Sequence, residues 1–204
     1  MKLHKKSFLE CFPHYQQLIA EGDEQAFEKV YRFYHRKLAS FSENYTKSKE
    51  LAEEIVEDVF VKLWCKRESV PQINNLNVYL YTAIKHESLN ALSKEARRIV
   101  TEMLDVTATD AYTDNTSPHD LLVTSELMQS VQNAIDTLPP RCKLIFQLVR
   151  EDNLRYKEIA EILNISVNTI DSQMAIAMKR LCAALNVKPA VTSSLPSSKK
   201  TKFF

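Results

Sequence analysis

The sequence predicts an all-α protein made of two small helical domains joined by a flexible acidic linker. Gly22 is the only glycine among the 204 residues, so tight strand hairpins, which need glycine at positive φ, have almost no suitable residues. Apolar residues recur every three or four positions over most of the chain, a spacing that is typical of amphipathic helices. Residues 99–119 lack this period and therefore separate two helical blocks.

Two amphipathic helices begin the first block. One follows Asp23, a residue that suits a helix N-cap, and its apolar residues recur by threes and fours from Phe27 to Phe41. The next follows Ser48, another good N-cap, and has a broad apolar stripe that ends at Trp64. We expect these two stripes to pack against each other.

A loop and a third helix complete the first block. Residues 68–77 contain Pro71 and three asparagines and have no helical period, which predicts a loop. The helix that follows carries apolar residues from Tyr79 to Leu92. It ends in a basic cluster of Lys94, Arg97 and Arg98. Three such helices can bury their apolar stripes together and form one domain.

Charge is distributed unevenly along the chain. The formal net charge is only +1, yet residues 99–140 contain no lysine or arginine and seven acidic residues. Overall neutrality therefore does not argue against nucleic-acid binding, because the basic residues lie on both sides of an acidic middle. The predicted divisions are an N-terminal extension at 1–19, a first domain at 20–98, an acidic linker at 99–120, a second domain at 121–187 and a mobile tail at 188–204.

The second block contains a helix-turn-helix pattern. A first helix, from Leu121 to Leu138, is broken by two prolines, and the segment RYKEIAEILNISVNTIDSQMAIAMKRL follows from Arg155. In this segment Asn164 suits a tight turn and Ser166 is placed to cap a second helix. The polar residues of that helix could reach base edges in a major groove. The alternative is an amphipathic hairpin whose polar side is only solvated, and the pattern alone leaves it open.

Composition argues against an enzyme. The four cysteines, Cys11, Cys65, Cys142 and Cys182, form no Cys-x-x-Cys pair, and the five histidines are equally dispersed. The scarcity of glycine excludes a phosphate-binding loop of the P-loop or dinucleotide type. We therefore expect no catalytic residues, no metal, no cofactor and no small-molecule substrate. No signal peptide and no apolar run near the about 20 residues of a membrane span is visible, so we expect a cytoplasmic protein.

Four segments, taken in order, resemble a known family. They are AEEIVEDVFVKLW from Ala52, YLYTAIKHESLNALSK from Tyr79, LPPRCKLIF from Leu138 and YKEIAEILNISVNTI from Tyr156. The ordered set is similar to the extracytoplasmic-function (ECF) sigma factors of the sigma-70 family, and more narrowly to the group common in Bacteroidetes. The resemblance runs over residues 20–185. It implies that the first domain is the family's region 2 and the second its region 4.

The resemblance implies that the chain binds core RNA polymerase. In the family, the acidic second helix docks on the clamp helices of the largest subunit, a basic coiled coil, and region 4 contacts the flap of the second subunit. The positions that match the docking helix here are Glu54, Glu57, Asp58 and Val61. Acidic side chains facing a basic partner suit electrostatic steering. Without the flanking motifs, an ordinary solvated face would be the preferred interpretation.

Region 2 of the family opens the downstream promoter element and holds its non-template strand. This requires aromatic surface for unstacked bases and cations for the backbone. The positions that carry this expectation are Asn74, Asn75, Tyr79, Lys85, Asn90, Lys94, Arg97 and Arg98. For Tyr79, a place in the core is about as well supported as a stacking role. His86 stands where asparagine is common in the family, so no role is carried over to it.

Region 4 of the family binds the upstream promoter element as duplex. The matching positions here are Arg155, Tyr156, Lys157, Ser166, Asn168, Thr169, Asp171, Ser172, Gln173, Lys179 and Arg180. Lys179 and Arg180 are expected to contact phosphates. Two positions depart from the family pattern. Ile176 replaces a usual lysine, which weakens phosphate contact, and Asn164 replaces a frequent turn glycine, which is conservative.

The resemblance also implies a membrane-bound anti-sigma partner that clamps the two domains, and a linker that threads toward the active-site and RNA-exit channels of the polymerase. The linker is equally well explained as a solvated tether.

Two other functions compete with that of a sigma factor. A stand-alone helix-turn-helix regulator would bind duplex DNA without polymerase, usually as a dimer, and the chain offers no dimerisation helix. An enzyme acting on nucleic acid would need a positioned base, nucleophile or metal, and none is visible.

Overall fold

The structure, a computed structural model, describes residues 12–103 and 125–185, and every regular element among them is helical. The first domain consists of α1 (Phe12–Ala20), α2 (Glu24–Thr46), α3 (Lys49–Cys65), a 3₁₀ helix (Arg67–Gln72) and α4 (Leu76–Met103). The second consists of α5 (Ser125–Asp136), α6 (Pro140–Arg150), α7 (Tyr156–Leu163) and α8 (Val167–Ala184). The prediction of an all-α protein with two helical domains is confirmed. The predicted linker beyond residue 103, the tail and the first 11 residues lie outside the described residues.

The predicted caps hold the ends of α2 and α3. The Asp23 carboxylate accepts a hydrogen bond from the Ala26 N–H at 2.9 Å, and Ser48 Oγ accepts one from the Leu51 N–H at 3.2 Å. Gly22 closes α1 at φ 89°, a conformation that residues with a Cβ rarely adopt. The Asp23 N–H then bonds back to the Leu18 carbonyl at 2.9 Å, which is the long bond of a Schellman turn. The single glycine therefore stands where the turn requires it.

Aromatic side chains dominate the core of the first domain. The Phe60 ring packs edge-on against Tyr31 with centroids 5.0 Å apart, and the Phe41 and Tyr81 rings pack in the same manner at 5.0 Å. Such edge-to-face pairs contribute about 0.5–1.5 kcal/mol beyond the burial of their area. One polar contact crosses this core, where Ser42 Oγ and Ser88 Oγ lie 2.9 Å apart. Because both hydroxyls have a partner, their burial is compensated.

The structure differs from the sequence prediction at three places in the first domain. Helix α1 was not predicted, because polar Gln16 interrupts its short apolar face; its side chain is buried and donates to the carbonyls of Val70 and Ile73 at 2.9 Å. The segment predicted as a loop, residues 68–77, overlaps the 3₁₀ helix. A 3₁₀ helix can form over a few residues and does not require the apolar period of an α-helix. Helix α4 continues to Met103, past the predicted start of the linker. No glycine or proline follows Arg98 before Pro118, so nothing ends the helix there.

The second domain is a helix-turn-helix preceded by two helices. Asn164 adopts φ 54° and ψ 53° at the end of α7, and the Ile165 N–H bonds back to the Ala160 carbonyl at 3.0 Å. Ser166 Oγ then accepts a hydrogen bond from the Thr169 N–H at 3.0 Å and caps α8. Both turn residues have the conformations that the sequence predicts. Helix α5 ends before the two prolines, as predicted, and α6 begins with Pro140 in its first turn.

Candidate nucleic-acid interface

Helix α8 has a buried face and a polar face. Its buried residues are Ile170, Met174, Ala177 and Leu181. Asn168, Asp171 and Ser172, in its first turns, are exposed. A helix that fits a major groove contacts bases with the residues of its N-terminal part, and these exposed side chains carry the hydrogen-bonding groups that base edges require. The cap at Ser166 fixes where this polar face begins.

The far end of α8 carries cations. Lys179 and Arg180 are exposed there, two turns beyond the polar residues, a distance at which they can hold phosphates and so fix the helix in its groove. Ile176, where the family usually has lysine, is 42% exposed.

Cys142 lies beneath α8 and donates its thiol hydrogen to the Gln173 carbonyl at 3.3 Å. Burial raises the pKa of Cys142 although the Arg180 charge lowers it, so this thiol stays protonated and has a structural place.

A second polar surface lies on α4 and the loop before it. Asn74 and Asn75 are exposed in the loop, and Lys94 and Arg97 are exposed further along α4. The Tyr79 side chain is 43% exposed, so a place in the core is wrong for this residue and its ring is accessible to a base. Among the other predicted residues of this surface, Asn90 is exposed and the side chain of Arg98 falls outside the described residues. The aromatic and the cations therefore occupy one accessible helix surface.

Other predicted DNA-binding residues are engaged within the protein. Lys85 is partly buried, and its Nζ donates to the Ile162 carbonyl of α7 at 2.5 Å. Asn75 Nδ2 donates to Glu158 Oε1, also on α7, at 2.8 Å. Tyr156, Thr169 and Gln173 are half-buried in the second domain, whereas Arg155 and Lys157 are exposed. A cleft of about 280 Å³ brings Arg155 opposite Asn74 and Asn75, so predicted binding residues of the two domains lie at one place.

The exposed face of α3 is acidic and carries an apolar side chain at one end. Glu54, Glu57 and Asp58 are exposed, and Val61, one further turn along, is 61% exposed. The cation that follows, Lys62, forms an ion pair with Glu87 of α4 at 2.6 Å. That hydrogen bond lowers the pKa of Glu87 and raises the pKa of Lys62. The face therefore combines negative charge with an accessible apolar side chain, which suits a basic protein partner.

Sequence reasoning missed three residues at the contact between the two domains, Glu158, Asn77 and Tyr34. Glu158 accepts hydrogen bonds from Asn75 and, at 3.3 Å, from Asn77 Nδ2. Tyr34 donates its hydroxyl hydrogen to Asn77 Oδ1 at 2.5 Å. A local signal existed only for Glu158, which stands three residues after Arg155, a spacing that favours a contact with the start of a helix. Its Oε2 accepts a hydrogen bond from the Arg155 N–H at 2.7 Å.

Comparison with family profiles identifies both domains. The profile described as Sigma-70 region 2 matches residues 30–98, and the profile described as Sigma-70, region 4 matches residues 128–181. The chain belongs to the sigma-70 family. The two matches cover the aromatic domain and the helix-turn-helix, so the two polar surfaces lie on regions 2 and 4 of one sigma factor.

Relatives place this sigma factor in the ECF group. It is 26% identical over 162 residues to the ECF RNA polymerase sigma-E factor of Escherichia coli strain K12, which covers 76% of this chain and 84% of the relative. The sigma-E factor of Haemophilus influenzae is 27% identical over 164 residues, with 76% and 85% covered. The narrower resemblance to the Bacteroidetes group stays a prediction.

Solved structures share the fold. The sigma factor RpoE from Bartonella quintana, in complex with the anti-sigma factor NepR, aligns with a TM-score of 0.53 at 22% identity, over 80% of this chain and 98% of that one. CnrH, in complex with the cytosolic domain of CnrY, aligns with a TM-score of 0.51 at 15% identity, over 85% and 96%. At these identities the likeness shows the helical fold alone.

Two further findings concern the described residues. Within 12–103 and 125–185, no three histidine, cysteine, aspartate or glutamate side chains come together in a group that could hold a metal ion. In the same part of the chain, no helix combines the length and the apolar character that crossing a membrane requires. Membership of the sigma-70 family is consistent with a protein that is not an enzyme.

Proposed function

We propose that this ECF sigma factor binds core RNA polymerase and directs promoter recognition, DNA melting and transcription initiation. The observation that carries the proposal is that one chain matches region 2 and region 4 in order, at 30–98 and 128–181. A stand-alone helix-turn-helix regulator would need only the second region. It would not require the acidic, partly apolar face on α3. Catalysis of the chemical step belongs to the polymerase, and the sigma factor itself is not an enzyme.

The two polar surfaces divide the promoter between them. Helix α8 enters the major groove of the duplex upstream element, where Asn168 and Ser172 meet base edges and Lys179 and Arg180 hold phosphates. The α4 surface receives the melted downstream element, where the exposed Tyr79 ring stacks on an unpaired base. Base stacking on an aromatic residue is worth about 1–3 kcal/mol, enough to favour a base that has left the duplex.

The acidic α3 face is the docking site for the polymerase clamp helices. Glu54, Glu57 and Asp58 steer the approach to a basic coiled coil, and Val61, one turn further along, supplies an apolar contact. Region 4 contacts the flap of the second polymerase subunit. Because bacterial RNA polymerase works in the cytoplasm, we propose that the protein is cytoplasmic.

An anti-sigma factor is a further proposed partner. The aligned RpoE was solved with the anti-sigma factor NepR, and the aligned CnrH was solved with the cytosolic domain of CnrY. A membrane-bound partner of this class would link an external signal to the release of the sigma factor. The proposed divisions at 20–98 and 121–187 are the units that such a partner would hold.

Transcription in vitro tests the proposal. The full chain is added to bacterial core polymerase on a library of promoter fragments, and start sites are sequenced. We expect discrete start sites that depend on the chain. No association with core enzyme, or association without start-site choice, would contradict the function. Binding to a duplex promoter without core enzyme, together with no effect on transcription, would favour the stand-alone regulator.

Charge reversal on α3 tests the docking face. We expect Glu57→Lys with Asp58→Lys to weaken core binding by about tenfold or more, because like charges would then face the clamp helices. The matched control is Glu43→Lys with Glu68→Lys, two exposed acidic residues of the same domain outside this face. Binding is measured by fluorescence anisotropy of the labelled chain. Equal losses in the two double variants would mean that net charge alone, and no docking face, explains the effect.

A further inference from the structure

One exposed apolar side chain lies on the outer face of α8. Three large apolar side chains of this helix, Val167, Ile176 and Met178, are 40–42% exposed. On a helix with about 3.6 residues per turn, Val167 and Met178 lie about 50–70° from the middle of the buried face, whereas Ile176 lies about 130° from it. Val167 and Met178 therefore border the core, and Ile176 stands on the face that the proposed function turns toward duplex DNA.

Ile176 stands between the polar and the cationic residues of this face. Ser172 precedes it by about 6 Å along the helix axis, and Lys179 follows it by about 4.5 Å. Both residues are exposed, as is Ala175 beside Ile176. Successive bases of a strand are about 3.4 Å apart, so Ile176 comes less than two base steps after Ser172. A helix that places Ser172 over base edges and Lys179 on a phosphate therefore brings the Ile176 side chain over base edges as well.

The chemistry of this side chain selects one group of the major groove. Isoleucine neither donates nor accepts a hydrogen bond, so it gains nothing from a phosphate. Against the polar edge of adenine, guanine or cytosine it would displace water from donors and acceptors and leave them unpaired, which is unfavourable. The C5 methyl of thymine is the apolar group that a base presents in the major groove. The Ile176 side chain therefore suits a thymine.

The stiffness of the side chain favours the same contact. A β-branched residue in a helix has one strongly preferred χ1 rotamer, so Ile176 loses little conformational freedom on binding. A lysine at this position would lose more freedom, and its contact with a phosphate would carry no sequence information. Isoleucine at position 176 thus replaces a contact that is independent of base sequence by one that depends on it.

We infer that Ile176 is a specificity-determining residue, which contacts the C5 methyl of a thymine in the upstream promoter element. This inference rests on the proposed function, because it requires α8 to lie in the major groove. Lys179 and Arg180 hold the neighbouring phosphates and fix the depth of the helix. Ile176 then makes affinity depend on the base at one position, and the upstream elements that this chain selects share a thymine there.

Replacing thymine by deoxyuridine tests the contact, because the two bases differ only by the C5 methyl. The full chain with core polymerase is titrated with duplex fragments that carry the upstream element found by start-site sequencing, and each thymine of the element is replaced in turn. We expect one replacement to lower the affinity of the native chain by about threefold to fivefold, the factor for one buried methyl group. In Ile176→Ala the same replacement should have no effect.

Two further variants separate the contact from a change in the helix. Ile176→Val keeps the branched β-carbon and should still distinguish thymine from deoxyuridine at that position. Met178→Ala removes an equally exposed apolar side chain from the border of the core. It should distinguish the two bases as the native chain does, because the inference gives Met178 no contact with DNA.

Four results would overturn the inference. They are no deoxyuridine replacement that weakens binding, an equal loss in the native chain and Ile176→Ala, loss of the distinction in Met178→Ala, and weaker core binding by Ile176→Ala without DNA, which would place the residue on the polymerase. A chain that chooses no start sites contradicts the proposed function and this inference with it. A chain that chooses start sites without any effect of deoxyuridine that depends on Ile176 contradicts this inference alone.

Discussion

The two domains of this sigma factor hold their DNA-facing side chains by different means. In region 2, helices α2 and α4 have 23 and 28 residues, and aromatic rings pack between them, such as Phe41 against Tyr81 at 5.0 Å. In region 4, α7 has only 8 residues and the core is mostly aliphatic, with Ile159 and Ile170 fully buried. Long helices and rings position the first surface, whereas the second lies on the 18-residue α8, which packs on an aliphatic core and follows the 8-residue α7.

Because of this difference, the ends of the helices matter more for the geometry of region 4 than for that of region 2. A helix shorter than about 12–15 residues is marginal by itself, so α7 depends on its termini and on packing. Its termini are well defined, with Glu158 bonded to the Arg155 N–H at the start and Asn164 in the left-handed conformation at the end. The comparison teaches that local bonds at a few positions set the geometry of region 4, whereas long-range packing sets that of region 2.

The largest effect should come from removing a ring from region 2. Phe60 is 2% exposed and packs against Tyr31 and Phe27, so we expect Phe60→Ala to lower the free energy of unfolding by about 3–5 kcal/mol through lost burial and a cavity. Urea unfolding followed by Trp64 fluorescence measures it, since the single tryptophan lies in α3 of the same domain. Val61→Ala on the exposed face of α3 is the control and should shift the transition little.

Substituting a cap should have a smaller and more local effect, confined to region 4. Ser166→Ala removes the acceptor for the Thr169 N–H, and we expect a loss of about 1 kcal/mol. Hydrogen exchange should rise at the start of α8 and stay unchanged in α3. Ser172→Ala is the matched control, because Ser172 Oγ bonds only within the helix, to the Asn168 carbonyl. If both variants raised exchange equally, the cap would not be what positions α8.

Features that depend on neighbouring residues could be predicted from the sequence. The caps Asp23, Ser48 and Ser166 and the left-handed Asn164 were all predicted and are present. Each makes its bonds within a few positions of the chain, so residue type and spacing contain the information. The family resemblance was likewise carried by short, ordered segments and is confirmed by the region 2 and region 4 matches.

Features that depend on contacts between distant residues could not be predicted from the sequence. Helix α1 was missed because Gln16 is a polar residue on a buried face, and its partners, Val70 and Ile73, lie more than 50 positions away. The bond between Asn75 and Glu158 joins residues 83 positions apart, and no local pattern indicates it. For the same reason the sequence placed Lys85 on an open DNA surface, whereas the structure pairs it with a carbonyl of the other domain.

The smallest predicted effect distinguishes the two surfaces by the form of DNA that each binds. A cation that contacts phosphate releases counterions on binding, and the slope of log affinity against log salt changes by about 0.9 per contact for duplex but about 0.7 for a single strand. We therefore expect Lys179→Ala to reduce the slope by about 0.9 on a duplex upstream element, with a uniform affinity loss of about 1 kcal/mol or less across sequences. Lys94→Ala should reduce this slope by about 0.7 on the melted downstream strand.

Titrations of the polymerase complex at several salt concentrations measure both slopes. A loss for Lys179→Ala that depended on base sequence would instead place this side chain on a base edge, and an unchanged slope for Lys94→Ala would remove α4 from the melted strand.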